Sequence, residues 1–207
     1  MGYSTLCDNH KRRNRRHGHP EQRSVTSYEL EPFRKRVKAR IEKNASNPTW
    51  KLLRDRWEAL EGIAKGHVEQ YGTGVPYNLH QREAWANVAT LGAAAQTMDI
   101  IEIVLAMYLM QEENPYRFKS DEAFSGQLVR RVRNLAPTSI ATYQDFRTNK
   151  AKRVYRDLKP RTVEILARML QETFGVAGLT VAKLEQQEAA QKQNEQRSLH
   201  NALSELV

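Results

Sequence analysis

Apolar residues recur every three or four positions along most of the chain, which is the spacing of an amphipathic helix. Thr26 and Glu29 have the spacing of a capping box, and apolar positions follow them at helical intervals. Asn47 and Pro48 predict a second start, because these residue types favour the cap and the first helical position. The apolar stripe of this second helix consists of Trp50, Leu53, Trp57, Leu60 and Ala64.

The most apolar part of the chain predicts two helices over residues 79–111, the second of them capped by Thr97. Another helix begins at Ser120, and Pro137 breaks it. Thr138 then predicts a further helix, whose apolar positions are Ile140, Ala141, Tyr143 and Phe146. This helix, break and helix over 121–161 is compatible with a helix-turn-helix.

The last third of the chain predicts a helix that begins near Pro160 and ends at Gly175, followed by a long polar helix. No segment alternates between apolar and polar residues with period two. We therefore predict an all-α bundle of seven or eight helices, with an irregular basic amino-terminal arm over 1–25, a helical domain over 26–176 and a protruding helix over 177–207. Leucines near the end of the protruding helix invite homodimerisation.

Composition excludes several classes of protein. The single cysteine excludes an internal disulfide framework. No uninterrupted apolar run reaches the ~18 residues of a membrane-spanning helix, and no apolar segment follows the basic amino terminus as in a secretory signal. The expectation is therefore a cytoplasmic protein with no membrane partner.

The charge of the chain is concentrated in two blocks. The 33 Lys and Arg residues exceed the 24 Asp and Glu residues by nine. Residues 1–40 carry a net charge of +7 and residues 121–170 carry +6, whereas the segments between and after them are each −2. Two such blocks favour a polyanionic partner, DNA or RNA, or a protein complex that handles nucleic acid. The alternative is that these cations only solvate helix faces.

The candidate phosphate-binding residues follow from these blocks, because each neutralised phosphate requires a cation. The arm contributes Lys11, Arg12, Arg13, Arg15 and Arg16, and the second block contributes Arg130, Arg131, Arg133, Arg147, Lys150, Lys152, Arg153, Arg156 and Lys159. If the predicted second helix of 121–161 enters a major groove, then Ser139, Thr142, Gln144 and Asn149 could reach base edges.

A candidate zinc site lies in the arm, where Cys7, His10, His17 and His19 follow the order Cys-x2-His-x6-His-x-His. Thiolate and imidazole are preferred zinc ligands. The alternative is a flexible basic tail with incidental histidines.

The same stretch, TLCDNHKRRNRRHGHP, resembles the LC-x2-H-x2-R-x2-RHG-x-P segment of many small phage and prophage proteins, some with HNH-nuclease or zinc-ribbon modules. The resemblance covers about residues 5–20. It implies a mobile-element origin, and it implies that Cys7 and His10 form one ligand pair.

These observations favour a non-enzymatic nucleic-acid-binding protein of phage or mobile-element origin. A rival interpretation is a phage-encoded inhibitor that binds a host or defence protein complex, in the manner of an anti-CRISPR protein. A third is a metal-dependent nuclease. The sequence assigns no catalytic residue to the third, because the histidines after His19 are scattered and no acidic cluster with metal-site spacing is present.

Overall fold

A computed structural model describes residues 6–136, 139–145, 147, 149–155 and 157–204. The prediction of an all-α bundle is confirmed, with a single two-stranded hairpin added to it among the described residues. In chain order the elements are α1 (Asp8–His17), α2 (Ser27–Lys43), α3 (Pro48–Gly72), α4 (Leu79–Ala94), α5 (Thr97–Glu113), a short 3-10 turn (Pro115–Arg117), α6 (Asp121–Arg133), β1 (Ser139–Asp145), β2 (Lys150–Tyr155) and α7 (Pro160–Ser204).

The starts of α2 and α3 are where the capping residues predict them, whereas the predicted cap Thr97 is wrong: Gln96 precedes α5 without a side-chain cap hydrogen bond, and Thr97 is the first residue of that helix. At α2, the Thr26 hydroxyl accepts from the Glu29 backbone N–H at 3.1 Å, and the Glu29 carboxylate accepts from the Thr26 N–H at 2.7 Å. At α3, the Asn47 side chain accepts from the Thr49 N–H at 2.9 Å. Each contact satisfies a donor that the first helical turn leaves without a backbone partner.

Helix α5 is the centre of the bundle, because its residues from Ile103 to Met110 are all buried and it packs against α2, α6 and α7. The rings of Trp57 on α3 and Phe174 on α7 stack at 6.0 Å and join these two helices. Among the described helices none is by itself long and apolar enough to cross a membrane. By length and composition α4 and α5 pass only as a pair, and the pair is bent by 118° at the break between them.

The predicted helix end at Gly175 is wrong. Helix α7 runs through it without a break and is 45 residues long in total, about 67 Å at 1.5 Å per residue. Gly175 and Gly178 instead make room for the Tyr108 ring of α5, which a Cβ at Gly178 would meet. The protruding part is therefore a continuation of a bundle helix, and it is exposed over residues 189–199.

The predicted irregular arm is wrong over residues 8–17, which form helix α1, and this helix lies against α6. Gly18 ends α1 with a φ of 79°, in the left-handed region that favours glycine. A Cβ at this glycine would lie 2.6 Å from the backbone carbonyl of Glu122. The close contact between α1 and α6 thus depends on the missing side chain.

The chain after α1 is held by buried side-chain amides. Gln127 of α6 is fully buried, and its oxygen accepts from the Val25 N–H at 2.8 Å while its nitrogen donates to His17 Nδ1 at 3.1 Å. The oxygen of buried Gln22 accepts from the Lys119 N–H at 3.1 Å. The segment between α1 and α2 is consequently part of the folded body.

The helix-break-helix predicted over 121–161 is wrong in its second half, where the chain forms an antiparallel hairpin. Tyr143 pairs with Lys152 and Asp145 with Lys150 in its register. The physical reason is that this stretch is rich in β-branched and aromatic residues, which favour strands, and that a short apolar run fits either structure.

We predict that Gly18→Ala lowers the free energy of unfolding by about 2 kcal/mol, because a left-handed alanine costs about 1 kcal/mol and its methyl group also displaces α6. Urea denaturation measures the change. Gly74→Ala is the matched control, since Gly74 has a φ of 93° but a Cβ at this position would have no neighbouring atom within 4 Å. Equal losses in the two variants would contradict the packing role of Gly18.

Candidate nucleic-acid interface

Helix α1 places basic side chains along a cleft. Lys11, Arg12, Arg15 and Arg16 line one side of a cleft of about 550 Å³, and Lys159, which precedes α7, lines the other. All five residues are exposed. The two basic blocks of the sequence therefore meet at this cleft, although they are more than a hundred residues apart in the chain.

Asp157 lies in the middle of this basic surface. Its carboxylate contacts the Arg16 guanidinium through two pairs of atoms, at 2.8 Å and 3.4 Å. It also attracts Arg130 and Arg133, both at the end of α6. This bidentate contact joins α1 to the segment that enters α7 and fixes the orientation of Arg16.

The arginines at the end of α6 are held close together and partly out of water. Burial lowers the pKa of Arg130, and the neighbouring Arg16 lowers it further while Asp157 opposes the shift. Burial likewise lowers the pKa of Arg133. Since the ordinary pKa of an arginine lies far above neutral pH, both side chains stay charged, and a bound anion would relieve their mutual repulsion.

Two of the predicted cations face the bundle. Arg131 is only 9% exposed, and it donates to the Ser27 hydroxyl of α2 at 3.1 Å. Arg133 donates to the Asn87 side chain of α4 at 2.8 Å. Arg131 thus joins α6 to α2 outside the cleft. Arg133 joins α6 to α4 and also belongs to the basic cluster with Arg130.

The remaining predicted cations belong to the hairpin. Arg147 is exposed in the turn. Lys150, Lys152 and Arg153 are placed on β2 by the backbone, but their side chains lie outside the described part of the structure, as does the whole of Arg156.

Asp157 and Arg168 are two site residues that our sequence reasoning missed. Arg168 lines a second cleft of about 890 Å³ between α1, α6 and α7, together with Arg161, Lys11, Arg15 and Arg16. Arg168 follows Arg161 by seven residues, a spacing that places both on the same face of a helix and could have identified it. Asp157 is the one acid within residues 147–161, and its isolation among cations could have identified it as their partner.

The four predicted zinc ligands do not converge. Cys7 Sγ and His10 Nδ1 are 3.2 Å apart, so this pair is close. His17 Nδ1 accepts from Gln127, and His19 Nδ1 accepts from the Glu21 N–H at 3.2 Å. Within the described ranges no three His, Cys, Asp or Glu side chains form a group that could hold a metal ion. Zinc binding by Cys7 and His10 stays a prediction.

Comparisons of the chain with known protein families, with curated proteins and with solved structures find no match.

His17 must be neutral in the folded protein, because the amide nitrogen of Gln127 can only donate and Nδ1 must therefore accept. Burial lowers the pKa of His17, and Arg130 and Arg16 lower it further. The unfolded chain then takes up a proton near pH 6.5, which the folded chain resists, so the stability present above pH 6.5 is lost as the pH falls below it.

We predict that the free energy of unfolding of the wild type falls between pH 7 and pH 5 relative to that of His17→Asn, by at most about 1.4 kcal/mol per pH unit. Asparagine can place an acceptor oxygen near the position of Nδ1 but does not titrate, so it serves as the matched variant. Urea denaturation across this range measures the difference. Parallel pH profiles for the two proteins would show that His17 does not titrate against the fold.

Proposed function

We propose that the protein binds nucleic acid, without a chemical step, through the exposed basic surface that α1 and the start of α7 form together. The observation that carries this proposal is the convergence of Lys11, Arg12, Arg15 and Arg16 with Lys159 around one cleft. The resemblance of residues 5–20 to segments of phage proteins supports a mobile-element origin as part of the same proposal.

The pairing of the cations supports a role in binding for α1. Several arginines elsewhere in the described chain are engaged with carboxylates, among them Arg34 with Asp99 and Glu102, and Arg40 with Glu185 and Glu188. Such cations hold helices together, and the paired carboxylates largely neutralise their charge, so they attract an anionic ligand only weakly. Within the described residues, by contrast, no ion pair is formed by Arg12 and Arg15, which line the cleft, or by Arg13, which is exposed on α1 but lines neither cleft. These three guanidinium groups are available to phosphates.

The docking of α1 makes this surface suited to a polyanion. An isolated helix of ten residues is marginal in water, and α1 has no buried residue of its own. Because its end is fixed to α6, the backbone that carries these cations is held in place before a ligand arrives, and less backbone entropy is lost on binding. Backbone phosphates are the ligand whose repeated charge matches such a row of guanidinium groups.

We expect the affinity for a fluorescent 20-base-pair DNA duplex to fall steeply between about 50 and 300 mM NaCl, because each phosphate contact releases counterions. In Arg12→Ala/Arg13→Ala/Arg15→Ala, the slope of log K against log salt should decrease by about two to three, and affinity near 100 mM salt should fall at least about tenfold. Fluorescence anisotropy measures both quantities. Alanine also preserves the helical propensity of α1.

The matched control is Lys38→Ala/Arg54→Ala/Arg56→Ala, which removes three exposed cations from α2 and α3 that do not line either basic cleft. It has the same net charge as the α1 variant, and we expect its affinity to stay within about threefold of the wild type. Binding that does not depend on salt, or equal losses in the two variants, would refute the proposal.

A further inference from the structure

The β1–β2 hairpin begins and ends beside the basic cluster. The chain leaves the bundle after α6, whose last turn carries Arg130 and Arg133. It returns at Asp157, two residues after β2, and there contacts Arg16 of α1. The base of the hairpin is thereby tied to the surface for which we propose nucleic-acid binding.

The two strands contact chiefly each other among the described elements, whereas the helices pack together in the bundle. A hairpin that no further strand or helix covers is marginally stable in water. Its strands, of seven and six residues, are about 20 Å long at 3.3 Å per residue. It is thus a slender element, longer than the ~8.5 Å depth of the major groove of B-form DNA.

The chemistry of the hairpin complements a nucleic-acid groove. Residues 139–155 carry four cations and one acid in the sequence, for a net charge of +3. At the turn, Gln144, Arg147 and Asn149 are exposed. The Gln144 amide nitrogen donates to the Asn149 side-chain oxygen at 2.7 Å, and this contact uses neither the Gln144 oxygen acceptor nor the Asn149 amide donors.

These residue types match base edges rather than phosphates alone. Amide side chains pair with the N6 and N7 atoms of adenine, and arginine pairs with O6 and N7 of guanine, all of which lie in the major groove. Asn149 has a φ of 50°, a left-handed conformation that asparagine tolerates better than most residues. Asparagine therefore meets the conformational demand of the turn and also places an amide group there.

We propose that the β1–β2 hairpin enters the major groove of double-stranded DNA while α1 contacts the phosphates beside it. The inference rests on the proposed nucleic-acid binding and makes it more specific. A two-stranded ribbon fits the ~12 Å width of this groove, whereas the major groove of duplex RNA is too deep and narrow for side chains to read. The partner is therefore B-form DNA.

The test compares one duplex sequence in three forms: unmodified DNA, DNA in which every cytosine carries a glucosylated 5-hydroxymethyl group, and RNA. Glucose on that carbon fills the major groove and leaves the phosphates and the minor groove unchanged. We expect the wild type to bind unmodified DNA at least about tenfold more tightly than either other form, a preference that corresponds to about 1.4 kcal/mol or more.

Two variants test whether the preference for unmodified DNA comes from the hairpin. Gln144→Ala/Arg147→Ala/Asn149→Gly removes the polar turn while glycine keeps the positive φ, and we expect it to bind unmodified and glucosylated DNA about equally. Arg12→Ala/Arg13→Ala/Arg15→Ala should bind every form more weakly but retain the ratio between them. Circular dichroism confirms that both variants stay folded.

Equal, salt-dependent binding of the wild type to unmodified and glucosylated DNA would overturn the groove inference and leave the proposed function intact. A preference that persists in the turn variant, or tighter binding to the RNA duplex, would also overturn it. If the wild type bound none of the three forms, the proposed function itself would fail and the inference with it.

Discussion

The buried amide of Gln127 determines where the amino-terminal cations lie. It is fully buried in α6, and its two polar atoms hold Val25 and His17, on either side of the turn that follows α1. Leaving either atom without a partner would cost about 1–3 kcal/mol, so the chain cannot leave this position without losing stability. Helix α1 has no buried side chain, and its place therefore depends on this amide, on the Gly18 contact and on the Arg16–Asp157 pair.

Because α1 is held in this position, its cations lie together with Lys159 on one exposed surface. A net charge of +9 by itself indicates little about binding, because several of the cations form ion pairs and hydrogen bonds that join parts of the fold. Arg36 joins α2 to Glu113 and Glu185, and Arg117 holds Glu29 together with two backbone carbonyls. The cations of α1 differ because the helix is held at its end, while most of its charged side chains point to solvent.

Local signals predicted most of the helices, but not the elements that form the site. The caps at Thr26 and Asn47 and the apolar stripe of α3 were correct because they depend on neighbouring residues in the chain. The helix end predicted at Gly175 was wrong because sequence alone does not distinguish a glycine that ends a helix from one that packs against an aromatic ring of another helix. The β1–β2 segment misled because its apolar run fits a helix or a strand, and only pairing between residues such as Thr142 and Arg153 decides between them.

The candidate cations were predictable as a set but not as a surface. Their residue types suffice to propose phosphate contacts, yet nothing local indicates that Arg131 contacts Ser27 whereas Arg16 contacts Asp157. Those two outcomes depend on how α1 and α6 pack. The convergence of both basic blocks at one cleft is thus a property of the tertiary structure.

Amide hydrogen exchange at residues 11–18 tests most directly that α1 is a docked helix and not a loose basic tail. These amides donate to carbonyls one turn earlier, as Lys11 does to Cys7 and Gly18 to Asn14, so a docked helix protects them in the free protein. We expect protection without any ligand and a further increase when a DNA duplex is added. Exchange at the rate of an unstructured peptide in the free protein would contradict the account.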